Sequence, residues 1–188
     1  MRLFEIIRNP NKLPPSVPSQ EHLYHGTQMY YLALIIATNR LDQGAHWHKP
    51  GEPHGVRCTR SMGAAKSFAF DQEIPGGIVV LNWPNLAKHY KTIPYADTQY
   101  NDVDPTQPGE AWNTDEAEEV ILTAAVKPLA GFLEGILMQS EDLKKLRAGE
   151  FLKDEWIESF MVWASRTPAA WQKAVRALMA YPNIKAIG

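Results

Sequence analysis

The sequence predicts an α+β domain, with a β-sheet core, flanking helices and a C-terminal helical segment. Three observations carry that expectation. The run Ile78-Val79-Val80-Leu81-Asn82-Trp83 is β-branched and nearly continuous in apolarity, the pattern of an interior strand. Two further strand-like runs, 56–59 and 119–126, are separated from it by helix-like runs rather than by tight hairpins. From Glu141 onward the pattern is helical, over 141–163 and 168–180, with Trp156, Trp163 and Trp171 on apolar faces.

In chain order, residues 1–7 read as a short strand or a packing peptide, and Asn9 to Ser19 as an extended linker broken by Pro10, Pro14, Pro15 and Pro18. Leu23-Tyr24-His25 reads as a strand that ends in Gly26 and Thr27. Gly26 allows the backbone to turn, and Thr27 is placed to cap the helix that follows from Met29 to Arg40. Positions 31, 34, 35 and 38 are the expected buried face of that helix. Residues 42–55 form a loop. Ser61 is placed to cap a short helix over 62–70, Gly76-Gly77 reads as a turn, and Pro84 opens a helix behind Asn82 or Trp83. The polar stretch from Tyr95 to Trp112 is a long loop, and 131–138 is a third strand candidate with helix as its alternative. The expected organisation is an extended segment over 1–20, a main domain over 21–138 and a helical appendage over 139–188 packed on the same body.

Composition bounds the function. In 188 residues, 45% hydrophobic content is enough for a real core, and a formal net charge of -2 argues against a broad phosphate-binding face. Cys58 is the only cysteine, so neither an internal disulfide nor a cysteine-based zinc site is expected, and a reducing, cytoplasmic setting fits. The opening residues are too short an apolar run for a signal peptide, and no run reaches membrane-spanning length. His46 and His48, with His54 nearby, have a spacing that matches no helix pair or zinc-finger pattern, so they read as a hydrophilic loop and no metal is expected.

Three stretches are candidates for chemistry. His25 sits at a strand end, where ligands commonly lie; its plain alternative is a ring that bonds the backbone. Thr59 and Ser61 supply hydroxyls, although a strand residue and an N-cap explain them without function. Arg60 is either a clamp for phosphate or carboxylate or a solvated surface charge. Asp115, Glu116, Glu118 and Glu119 crowd the start of a strand, where carboxylates raise one another's pKa or take a cationic partner; a solvated loop tip is the plain alternative. Strand alternation puts Glu118 and Glu119 on opposite faces, so only one of them can point into a given cleft.

In order and context, Tyr24-His25-Gly26-Thr27, Thr59-Arg60-Ser61 with Ala65 and Phe68, and Glu119 leading into Val120-Ile121 resemble the mono-ADP-ribosyltransferase fold, most of all the small proteins of that type encoded by bacteriophages. The resemblance spans about 21–138. It implies a split, mixed or antiparallel sheet and NAD as the substrate, with cleavage of the nicotinamide–ribose bond by an ADP-ribosyltransferase or NAD glycohydrolase. It implies that His25, Gly26, Thr27, Thr59, Arg60 and Ser61 hold NAD. Glu119 would be the catalytic carboxylate, with Glu118 as the alternative in a shifted register, and Glu119→Ala would abolish nicotinamide release in an intact fold. The histidine branch of that family carries a tyrosine in the second motif; none stands here, and Tyr24, Tyr30 or Tyr95 are the candidates to replace it. Ala117 stands where the family often has an acceptor-orienting Glu or Gln. Those departures support an alternative, a catalytically degenerate scaffold that serves as a phage structural or host-factor-binding protein. The expected partners are NAD and a macromolecular acceptor or partner protein, with no membrane and no strong nucleic-acid signature. The expected location is the cytoplasm, that of the host for a phage protein, or the virion.

Overall fold

A computed structural model describes residues 19–44, 53–70, 74–94, 118–153, 156 and 167–187. The expectations for residues 1–18, for His46 and His48, for the Tyr95–Trp112 loop, for Asp115 to Ala117 and for Trp163 fall outside them.

The elements in order are β1 (His22–Gln28), α1 (Met29–Thr38), β2 (Leu41–Asp42), β3 (Val56–Thr59), α2 (Met62–Phe70), β4 (Gly76–Asn82), α3 (Trp83–Leu86), β5 (Thr92–Pro94), β6 (Glu118–Ile121), β7 (Ala125–Val126), β8 (Leu133–Gln139), α4 (Ser140–Arg147), α5 (Pro168–Met179) and β9 (Ile184–Ile187). Seven strands make one sheet in the order β5-β6-β3-β1-β4-β8-β9, and β2 pairs with β7 in a small second sheet. All pairs are antiparallel except β8 with β9. The architecture is α+β with a mostly antiparallel mixed sheet, as the sequence predicts.

Alternation along β1 divides the sheet into two faces. Leu23 shares one face with Val79, Leu81, Ile136 and Met138, and these join the core that α1 and α5 cover. Tyr24 faces the other way and packs with Ile78 and with Ala65 and Ala69 of α2. The C-terminal segment belongs to the same body: Trp171 of α5 stacks on Tyr30 of α1 at 5.7 Å between ring centres, and β9 extends the sheet.

Local signals fix several boundaries. Ser61 Oγ accepts from the Ala64 N–H at the start of α2, and Asn82 Oδ1 accepts from the Asn85 N–H at the start of α3. Asn39 takes a left-handed conformation that ends α1, and its N–H bonds the Ile35 and Ile36 carbonyls.

The structure corrects other expectations. Thr27 does not cap α1: it lies inside β1 opposite Gly77, and Gln28 holds the N-cap position of α1, with no capping bond from its side chain. Met29, Tyr30, Leu32, Ala33 and Ile35 are the buried residues of α1, whereas Tyr31 is exposed. Gly76-Gly77 is no turn but the first pair of β4. The run from Glu119 is broken into β6 and β7 by a turn over 122–124, and β7 crosses to the second sheet. The strand expected over 131–138 is present as β8, so the helical alternative falls away. The first C-terminal helix closes at Ala148, because Gly149 adopts a positive φ of 72° and starts a 3-10 turn over Glu150–Leu152. The final strand β9 adds to the elements that the sequence predicts.

Gly26 is required for packing rather than for turning. A Cβ there would lie 2.1 Å from the Ala65 carbonyl oxygen, so α2 rests directly on the strand backbone. Gly26→Ala is therefore expected to destabilise the protein by about 2–3 kcal/mol through forced separation of α2 from β1, which urea denaturation would measure.

Candidate active site

The sheet order β6-β3-β1 puts the three candidate stretches on neighbouring strands. Tyr24 pairs with Thr59, and Thr59 pairs with Glu118, so these three side chains share one face. Cys58 pairs with Glu119, and by alternation His25 lies on that same opposite face. His25, Cys58 and Glu119 thus lie on one face of three neighbouring strands, with Cys58 and Glu119 directly paired. Glu118 projects from the other side of the sheet, as alternation requires.

β1 and β3 pair at one position only, Tyr24 with Thr59, while β1 pairs with β4 along its whole length and β3 with β6 along its own. The sheet therefore forks beyond Tyr24. His25 sits at the fork, half-buried, with Nδ1 3.0 Å from the Arg57 carbonyl oxygen. A carbonyl only accepts, so Nδ1 carries the hydrogen; in the neutral ring Nε2 is then the acceptor nitrogen. The backbone-bonding role weighed for His25 is real, and it orients the ring.

Glu119 is held by Arg60. The Arg60 Nε donates to Glu119 Oε2 at 3.1 Å, and the two side chains are 1% and 2% exposed. A second guanidinium nitrogen donates to the Ser19 carbonyl at 3.1 Å, the Ser19 N–H returns a 3.0 Å bond to the Arg60 carbonyl, and the Trp83 ring lies 4.2 Å from the guanidinium carbon. Of the two alternatives for Arg60, a solvated charge is excluded by this burial, and the carboxylate it engages is internal. Glu118 pairs with Arg57 at 3.0 Å, with 15% and 26% of the two side chains exposed.

The remaining candidates divide. Thr59 is buried and its Oγ1 accepts from the Ser61 N–H at 2.9 Å; Ser61 is buried as the α2 cap. Thr27 is buried on the His25 face, and the space beyond the Gly26 Cα is filled by α2. Tyr30 stacks on Trp171 in the core, and Tyr24 lies on the sheet face opposite His25. Sequence reasoning missed Trp83, Ser19 and Arg57. The aromatic before Pro84 and the period-two placement of Arg57 before Thr59 were the available signals, but their partners are remote in sequence.

No family model, curated protein or solved structure matches the chain. Among the described residues there is no helix long and apolar enough to cross a membrane and no group of three or more His, Cys, Asp or Glu able to hold a metal ion.

The arrangement joins a fixed imidazole to a carboxylate on one sheet face, with that carboxylate in a dry, cation-bound setting. This changes the expected outcome of removing Glu119. Glu119→Ala leaves Arg60 buried without its counter-charge and is expected to destabilise the fold by about 3–5 kcal/mol, whereas the pair replacement Arg60→Met with Glu119→Leu recovers most of that loss; urea denaturation of the single and double variants measures both.

Burial pushes the Cys58 thiol far above its ordinary range, and the neighbouring Glu118 and Glu119 charges push it the same way. The folded chain then keeps a proton that the unfolded chain releases. Stability contributed by this group is full below the unfolded thiol value of about 8.5 and declines as pH rises beyond it. Cys58→Ala is expected to make the alkaline decline in urea midpoint shallower.

Proposed function

We propose that the chain binds NAD across the β6-β3-β1 face and cleaves its nicotinamide–ribose bond, as an ADP-ribosyltransferase or NAD glycohydrolase. The observation that carries this reading is the placement of His25, Cys58 and Glu119 on one face of three adjacent strands, with the sheet forked at His25. In the reaction, the bond between ribose C1′ and the nicotinamide nitrogen breaks with its electron pair leaving on nicotinamide. Positive charge develops on the ribose, and the Glu119 carboxylate, accepting from the 2′-hydroxyl, stabilises it. Water or an acceptor nucleophile then bonds C1′ and loses its proton. His25 orients the nicotinamide side of the substrate, and the choice of Glu119 over Glu118 follows from the face it shares with His25.

A second reading is favoured by a specific observation, the near-complete burial of Glu119 against Arg60. A permanently sealed carboxylate fits a degenerate scaffold that docks on a phage or host protein.

Calorimetry with NAD and an assay of nicotinamide release separate the two. The catalytic reading expects binding, slow release by the wild type, NAD affinity about tenfold weaker in His25→Ala, and release at least about 100-fold slower in Glu119→Gln, which keeps an acceptor for Arg60. Absence of both binding and release sinks that reading and leaves the scaffold.

A further inference from the structure

We propose that Arg60 and the turn before β1 form a latch that keeps the candidate site closed. The proposal deepens the NAD reading and rests on it. Glu119 must touch the ribose to stabilise its developing charge, yet its side chain is 2% exposed and Oε2 is taken by Arg60. In this arrangement the carboxylate is almost wholly closed to solvent, so turnover requires Arg60 to withdraw.

The means of withdrawal lie outside the sheet. Arg60 is the first residue after β3 and is held from three sides: by Glu119, by the Trp83 ring and by Ser19. Ser19 itself stands in a compact turn, its Oγ accepting from the Glu21 and His22 N–H groups at 3.2 and 2.9 Å. The Glu21 carbonyl accepts from the Trp83 N–H at 2.9 Å, so the same turn also anchors the residue under the guanidinium. This turn precedes β1 and contributes no residue to the core clusters. It can release Arg60 while the sheet stays paired, which gives the site a closed and an open state governed by the hydrogen bonds of this one turn. Because only the open fraction binds, apparent affinity is reduced by that fraction, and loosening the latch raises it.

The test compares wild type with Ser19→Pro, which removes the N–H bonded to the Arg60 carbonyl, and with Arg60→Lys, which keeps the charge but lacks the planar fork that serves Glu119 and Ser19 together. Thermal melts check folding, and the paired variants guard against one of them failing to fold. The latch predicts that both variants bind NAD more tightly and release nicotinamide about tenfold faster than wild type. A wild type that turns over as fast as the variants, or faster, overturns the latch and leaves the NAD reading standing. Binding without release in all three overturns the latch in favour of the inert scaffold. No binding in any of them removes the NAD reading and the latch with it.

Discussion

The Arg60–Glu119 ion pair governs the end of the sheet where the candidate site lies. Two charges have been taken almost wholly out of water, and that desolvation is large enough to offset most of their attraction. What makes the arrangement tenable is the completeness of the surroundings: the guanidinium has Glu119, the Ser19 carbonyl and the Trp83 ring about it. The pair thereby ties β6 to the residue that follows β3, while Ser19 and Trp83 bring in the chain before β1 and the start of α3. A hydrophobic pair of similar volume would hold these elements nearly as well, so stability alone gives little reason for charges at this point.

The fork beside it imposes a second constraint. β3 is committed to β6 and β1 to β4, leaving a single pairing between the two halves. Strand edges exposed in this way carry backbone groups that must be satisfied. The Arg57 carbonyl finds the His25 ring, and one hydrogen bond both closes an exposed acceptor and sets the imidazole's orientation. α2 spans the opposite face, resting on Gly26 and capped by Ser61, so the fork is supported from behind while its other side carries His25 and Glu119.

How much of this was legible in the sequence depended on whether the cause was local. Ser61 and Asn82 announced their caps because the acceptor lies three residues from its donor. The opposite orientations of Glu118 and Glu119 followed from strand period alone. Thr27 and the Gly76-Gly77 pair were misread because their conformation is set by each other across β1 and β4, where local turn chemistry gives way to remote pairing. The buried face of α1 was misplaced because the helix is apolar almost all round, packed by the sheet on one side and α5 on another, so periodicity could not choose a face. β7 and β9 are short and depend on partners β2 and β8 for their existence as strands. Arg60 was recognised as a candidate, but its partner stands 59 positions away and only the sheet order brings them together.

The two readings of the site make different physical use of the same burial. For a scaffold, a sealed ion pair is a rigid tie and nothing more, and the oriented, half-buried His25 on the same face has no role in it. For an NAD-cleaving site, a dry setting strengthens the effect of a carboxylate on a charge developing nearby, because little water is present to screen it. Such a carboxylate needs a counter-charge at rest, and Arg60 supplies one until a substrate arrives. The cationic nicotinamide ribose then offers Glu119 a competing positive partner at the place where Arg60 now binds. Withdrawal of Arg60 thereby becomes an exchange of one cation for another rather than the exposure of a bare buried charge, and that exchange is what the proposed latch regulates.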